Sequence, residues 1–357
     1  MSKIALVARD ANPSRCFAQL AEQLGVHGGY TVVTHLGDGK PLVATDAIIE
    51  EDIRSSDAVL IGMSQTAELS APEILAAHTA QAGGVPFGFF GDNHRSWAKA
   101  NSGMWLQPFA NDATFYLGIT QEDADTAEKT FPNAELFGTG NPVLEAYAFA
   151  GLPSKEDLPD ALRGKRIILA PGNKYAVDNI WRWTMLLRAL EKAGVTNVVL
   201  AMTTHPGDGA LHSIDSRNGQ VSRLYDELLD LARIPSVLME TIPTQEIVPH
   251  ASLIVEFDTS FVVAAAYHQI PVITMASPIS EEIYRRTYGR TVPSGAKAGI
   301  AQLVTNDVTL SKTILRLLTP EGSAPMRQQQ QRMYPKPEKR GTAIHLMASV
   351  LSQVTGS

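Results

Sequence analysis

His205-Pro206 and Asp258-Thr259-Ser260 are the groups in this chain best suited to hold a phosphate. An imidazole donates a hydrogen bond to a phosphate oxygen and adds charge when protonated. Thr259 and Ser260 stand where a helix begins, so their hydroxyls and free backbone N–H groups offer donors to an anion. Pro171-Gly172-Asn173-Lys174 has the composition of a phosphate loop without the Walker spacing, and Asn173 and Lys174 are candidates to meet the same phosphate. A second constellation, Gly91-Asp92-Asn93-His94-Arg95, pairs a carboxylate and an imidazole with an arginine. Asp92 or His94 could deprotonate a hydroxyl, and so could Asp10. Arg95, with Arg15 and Glu68, would orient the acceptor. The structural alternatives stay open: Asp92 and Asp10 as helix caps, His94 as a solvent-facing side chain, His205 as a loop residue before a turn.

Two acidic pairs carry weaker signals. Asp123-Ala124-Asp125 has the spacing of metal-dependent sugar transferases, but it opens on Thr120-Gln121-Glu122-Asp123, a helix-start signature, and reads as a cap. Glu281-Glu282 could bind ribose or a metal, with Glu282 the better candidate, or form an exposed helix start. No His or Cys spacing suggests zinc. The first turn, Ala8-Arg9-Asp10-Ala11-Asn12-Pro13-Ser14, lacks the Gly-x-Gly-x-x-Gly of dinucleotide binding, which disfavours nicotinamide or flavin chemistry. Neither a metal nor a cofactor is therefore expected. The lone Cys16 reads as a packing residue, and His250 and His268 read as structural.

These groups sit after short apolar runs that alternate with amphipathic segments. Ile4–Ala8, Tyr30–Thr34, Ala58–Gly62, Val85–Phe90, Ala113–Leu117 and Glu135–Thr139 read as strands of a first half. Arg166–Ala170, Asn197–Met202, Ser236–Met239, Ser252–Val255 and Pro271–Met275 read as strands of a second. Ile300–Val304 and Thr309–Leu318 read as late helices, and Ala343–Val354 as a final one. Parallel strands need crossover helices, so the alternation predicts an α/β fold of two facing Rossmann-like, doubly wound parallel-sheet domains. The strand ends that carry the polar residues would converge. The expected boundaries are 1–150, a Pro-containing charged linker over 151–163, a nucleotide-binding domain over 164–335, and a C-terminal helix within 336–357.

The chain has 357 residues and a formal net charge of −7. At about 150 residues per domain, two domains are expected. The acidic balance argues against nucleic acid as the main partner. Met1-Ser2-Lys3 leads straight into a strand, and no run approaches the ~18 apolar residues of a membrane span. A cytoplasmic protein is expected, with peripheral membrane association if it acts on surface polymers from the inner face.

Three motifs resemble the GT-B glycosyltransferase superfamily. Gly138-Thr139-Gly140-Asn141-Pro142-Val143 is similar to the Gly-Asn-Pro turn of MurG-type transferases and UDP-sugar 2-epimerases. His205-Pro206 and Asp258-Thr259-Ser260 resemble motifs of bacterial sialyltransferases and CDP-glycerol glycerophosphotransferases. The resemblance implies that His205, Thr259 and Ser260 contact a donor phosphate, and that the final helix folds back on the first domain. It implies a nucleotide-sugar donor and a hydroxyl-bearing acceptor as partners, in surface polysaccharide or glycoconjugate synthesis. Two features depart from the pattern. The slot for a ribose-binding Glu holds Ala264, which favours a CMP- or CDP-linked donor, and the acidic-acidic-Gly motif of sialyltransferases is absent from the first half. A 2-epimerase and a non-catalytic two-lobed binder are the alternatives.

Overall fold

The computed structural model describes the chain except residues 27–28, 65–66, 99–104, 153, 174–175, 205–219, 240–241, 258, 289–290 and 357. It divides into two compact units, Met1–Ala146 with Pro337–Ser357, and Tyr147–Lys336.

The first unit is built on six strands: β1 (Ser2–Ala8), β2 (Tyr30–Leu36), β3 (Ala58–Ile61), β4 (Phe87–Phe90), β5 (Phe115–Gly118) and β6 (Glu135–Gly138). They are parallel, in the order β2-β1-β3-β4-β5-β6. The inner strands are short unbroken apolar runs because both faces of a parallel sheet are covered. Side-chain alternation sorts them into two cores. Val7, Ile61, Phe89 and Tyr116 pack on one face. Ile4, Leu6, Leu60, Phe90 and Phe115 pack on the other, against Phe17 and Leu20 of the helix Ala11–Val26. Fully burying a side chain of this kind contributes about 1.5–3 kcal/mol.

The C-terminal helix Thr342–Thr355 completes this second core with Ile344, Met347 and Leu351. Its dock is electrostatic as well as apolar. The buried carboxylate of Glu145 accepts from the backbone N–H groups of Gly341 at 2.5 Å, Thr342 at 3.1 Å and Ala343 at 2.6 Å. Those are orphan donors at a helix start, where negative charge is favoured.

The second unit holds β7 (Arg166–Pro171), β8 (Val198–Thr203), β9 (Ser236–Met239), β10 (Ala251–Glu256), β11 (Val272–Met275) and β12 (Gln302–Val304). Their order is β12-β11-β10-β7-β8-β9, again all parallel. Both sheets are therefore doubly wound. The direction in which successive strands are added reverses between β1 and β3 in the first sheet and between β7 and β10 in the second. Such switch points open crevices at the carboxyl ends of the strands, where ligands bind in this class of sheet.

Two expectations are corrected. Ile300–Val304 was expected to be helical, but its end forms the edge strand β12, which pairs with β11 through Ile273 and Gln302. The run is too short to show a helical period, and it gains its backbone partners from the neighbouring strand β11. The segment expected to link the domains, 151–163, belongs to the second unit. Ser154 and Asp157 form a capping box over a short 3-10 turn, and Leu158 and Leu162 are buried in the second unit's core. Among the described residues, no helix is long and apolar enough to cross a membrane.

Candidate functional site

At the carboxyl edge of the first sheet, the turn after β4 is held from below. Asp92 is buried, and its side chain accepts from Ser96 Oγ at 2.9 Å. Its backbone carbonyl accepts from Asn141 Nδ2 at 2.7 Å. The same Asn141 caps the helix Pro142–Ala148, its Oδ1 accepting from Val143 N at 2.9 Å and Leu144 N at 3.0 Å. This gives the Gly-Asn-Pro turn its physical basis. Gly140 supplies a left-handed φ of 85° and Pro142 a fixed helical start. Asn141 then joins the ends of β6 and β4. Asn12 approaches Asp92 within 3.4 Å, which brings the end of β1 into the cluster. Cys16 packs beneath it with Sγ donating to Asn141 Oδ1 at 3.2 Å. Burial pushes its thiol up to about 12, so it is inert, as expected of a packing residue.

His94 is held differently. Its Nδ1 lies 2.9 Å from Oδ1 of Asp123, off the axis of a hydrogen bond. Asp123 is fully buried. The same Oδ1 accepts from Arg95 N at 2.7 Å, and Oδ2 accepts from Ile119 N at 3.3 Å. Thr120 does cap this helix, accepting from Asp123 N at 3.1 Å. The capping signature was therefore real, but the Asp123 side chain reaches past its own helix to the turn after β4. It places a buried carboxylate beside Nδ1 of the imidazole. Arg95 adopts φ 57°, a backbone state uncommon outside glycine and often found at functional turns. Its guanidinium stacks on Trp97 at 5.0 Å.

Glu73, which the sequence reading did not single out, lies at the β1/β3 switch point. It is fully buried, with Oε1 accepting from Arg9 N at 2.9 Å and Ser64 Oγ at 2.8 Å. Burial pushes its carboxyl up to about 7; these hydrogen bonds oppose the rise and nearby Asp10 adds to it. Asp10 is half-buried at the same turn. The two remaining acceptor-side candidates are not gathered here. Arg15 is exposed and paired with Asp38 at 2.9 Å. Glu68 is exposed, and its backbone carbonyl accepts from Arg9 Nη1 at 3.2 Å.

The second sheet's edge holds a buried polar network. Asp178, in the first turn of the helix Ala176–Ala193, is fully buried. It accepts from Arg182 Nε at 2.9 Å, from Asn173 Nδ2 at 2.6 Å, and from Ser277 Oγ. Arg182 also donates to Asn179 Oδ1 at 2.7 Å and to the Pro171 carbonyl at 3.3 Å. Asn173 N donates in turn to Asn179 Oδ1 at 2.8 Å. The candidate loop after β7 is thus pinned to its own helix and to the turn after β11.

The turn after β10 is a correction. Thr259 does not offer free donors: its N–H donates to Glu256 Oε2 at 2.8 Å and its hydroxyl at 3.1 Å. Glu256, buried at the end of β10, also accepts from Thr274 Oγ1 at 2.6 Å. Burial pushes its carboxyl up, opposed by these hydrogen bonds and by Arg182. Ser260 does not cap the helix Phe261–Tyr267; its hydroxyl lies 3.3 Å from the phenol of Tyr147. Tyr147 also stacks on Phe261, and its carbonyl is 2.8 Å from His268 Nε2. Glu282 is half-exposed and bonded within its own helix to Arg285 at 2.7 Å and Arg286 at 2.6 Å. His205, Lys174 and Asp258 lie outside the described residues.

The first edge thus joins Asp92, His94 and Arg95 in one turn, with Asp10 and Glu73 at the neighbouring switch point. The second joins Asn173 with Asp178 and Arg182. Chemically, the first can exchange protons and the second can present a rigid polar loop.

The fold matches solved structures over nearly the whole chain. S. aureus MnaA bound to UDP is 14% identical, with 100% of this chain and 97% of that one covered and a TM-score of 0.65. The UDP-GlcNAc 2-epimerase of Neisseria meningitidis bound to UDP-GlcNAc is 14% identical, covered at 99% and 100%, with a TM-score of 0.62. MurG of Acinetobacter baumannii is 15% identical, covered at 99% and 100%, with a TM-score of 0.57. The chain has the GT-B fold, with one Rossmann-like sheet in each unit. No protein-family model matches it, and no curated protein matches it in sequence.

Proposed function

We propose that this chain is a GT-B nucleotide-sugar enzyme, and specifically a transferase that moves a sugar or sugar-like group from a nucleotide-linked donor to a hydroxyl acceptor. The observation that carries the reading is His94 at the carboxyl edge, held by the buried Asp123. His94 Nε2 takes the proton of the acceptor hydroxyl. The acceptor oxygen bonds to the anomeric carbon, the carbon–oxygen bond to the donor phosphate breaks, and the nucleotide leaves. Arg95 orients the acceptor. The second unit binds the nucleotide at the β7 loop around Asn173, whose pinning by Asp178 and Asn179 supports a preformed site. Lys174 and His205 belong to the same role by sequence. The leaving phosphate is stabilised by these side chains, so the reaction calls for no metal. Surface polysaccharide or glycoconjugate synthesis in the cytoplasm is the setting this chemistry fits.

A second reading, a nucleotide-sugar 2-epimerase, is favoured by the 2-epimerase among the fold neighbours. Epimerisation needs groups that remove and return a proton at a sugar carbon, and the same edge carries Asp92, His94 and Glu73.

Incubation with UDP-GlcNAc alone, followed by proton NMR, separates the two. An epimerase changes the sugar without an acceptor; the transferase leaves it intact apart from slow hydrolysis. A thermal-shift panel of CMP, CDP, UDP, GDP and ADP identifies the donor class. A nucleotide at a hundred times its Kd stabilises by about 2.7 kcal/mol, a rise of roughly 5–10 °C in Tm for a domain of this size. Once turnover is found, His94→Ala lowers it by about 10²- to 10⁴-fold. No shift with any nucleotide, or full turnover in His94→Ala, defeats the proposal.

A further inference from the structure

Glu73 combines two features that its own helix does not explain. It occupies the β1/β3 crevice, the place in a doubly wound sheet where ligand-binding turns meet. And its Oε2 is buried without a hydrogen-bond partner, although Oε1 takes two. A buried polar atom left unmatched calls for an explanation in function or in protonation. A structural staple would be served as well by an amide, which carries no charge to bury.

We infer that Glu73 is a proton-carrying positioning residue for the turn that bears Asp10. In its neutral form it holds Arg9 N and Ser64 Oγ with no charge buried, and Asp10 carries the negative charge of the turn. In its ionised form it buries a second negative charge beside Asp10 and weakens the hold of the turn. The elements packed on Glu73 are the β1 end, the β3 end and its own helix. Among the described residues, the charged side chains at these turns are Arg9 and Asp10. The Arg9 guanidinium is directed at the Glu68 carbonyl at 3.2 Å rather than at the carboxyl. Asp10 is therefore the neighbour whose charge acts on Glu73, and it acts against ionisation. The rise of the carboxyl to about 7 is what this geometry requires: burial first, with the like charge of Asp10 adding to it.

The direction of the pH effect follows. Above the ordinary carboxyl value of 4.5 and up to about 7, the folded chain keeps a proton that the unfolded chain has lost. Stability therefore falls as pH rises through that window and levels off above it.

The test is Tm against pH from 5.5 to 8.5 for the wild type, Glu73→Gln and Asp10→Asn. The wild type loses roughly 4–8 °C more than Glu73→Gln over this range. Asp10→Asn moves the midpoint of the wild-type decline to lower pH, because the opposing charge is gone. Parallel curves for wild type and Glu73→Gln, or an unmoved midpoint in Asp10→Asn, overturn the inference. If Glu73→Gln does not fold, carbon-13 NMR titration of the side-chain carboxyls in wild type and Asp10→Asn reads the same midpoint and its shift. These arms need no substrate, so their failure is separate from failure of the transferase reading. A further arm rests on that reading: the inflection near pH 7 in the rate profile of the wild type is absent in Glu73→Gln, whatever its absolute rate.

Discussion

At the first sheet's carboxyl edge, Glu73 keeps one buried oxygen unmatched, His94 meets its carboxylate off-axis and Arg95 takes left-handed backbone. At the second, both oxygens of Asp178 and both oxygens of Glu256 accept from protein donors; of the atoms around them, Arg182 Nη1 is unmatched. The topologies are alike, so the difference lies in side chains. A polar group poised for proton exchange must be left partly unmatched, since every hydrogen bond to its charged form deepens its well. A loop that only has to hold a ligand gains from full matching, which fixes its shape before binding. The first edge is the less fully matched of the two, and the second the more rigidly tied.

The largest way to break this comparison is Asp178→Ala. It leaves the Arg182 guanidinium buried without its counter-charge and frees both Asn173 and Ser277. Removing one partner of a buried pair costs about 3–5 kcal/mol. Urea unfolding should show that loss in the second unit. A loss under about 1 kcal/mol would mean the second edge is no tighter than the first. Asn141→Ala probes the first edge at smaller scale. It removes a helix cap, worth about 0.5–2 kcal/mol, and the tie from the Gly-Asn-Pro turn to the Asp92 carbonyl. The expected Tm change is a few degrees, with the accompanying loss of turnover exceeding what the stability change explains.

The strands were legible because parallel strands buried on both faces are unbroken apolar runs, as Ala58–Ile61 and Phe87–Phe90 show. The polar turns after them, including Asp92 to Arg95, were legible for the same reason: they start where those runs stop. Four buried carboxylates were not. Glu73, Asp123 and Asp178 each stand third in their helices, and Glu145 fourth. An acid in that position reads as a cap, because the helix start favours it electrostatically. Only the fold reveals that each reaches out of its helix: Glu73 to β1 and β3, Asp123 to the turn after β4, Asp178 to the turn after β11, Glu145 to the final helix. Glu256 was hidden for a different reason. Placed at the end of an apolar strand, it reads as the first polar residue of a loop, whereas it lies inside and holds Thr259. The expectation of open donors at Thr259 failed on that one carboxylate.

The smallest effect sharpens the comparison from outside the networks. Glu282 shares its carboxylate between Arg285 and Arg286, three and four residues along the same helix. The hydrogen bonds from Arg285 and Arg286 hold its carboxyl below the ordinary range. Exposed pairs of this kind contribute little, since water already solvates both partners and the long side chains lose freedom in pairing. Glu282→Gln should leave Tm unchanged within error from pH 5 to 8 and leave nucleotide affinity within about twofold, read by thermal shift and titration calorimetry. If affinity instead falls tenfold, Glu282 leaves its arginines to meet the ribose. The nucleotide would then be held by a group that rearranges on binding, and the second edge would no longer be the preformed one.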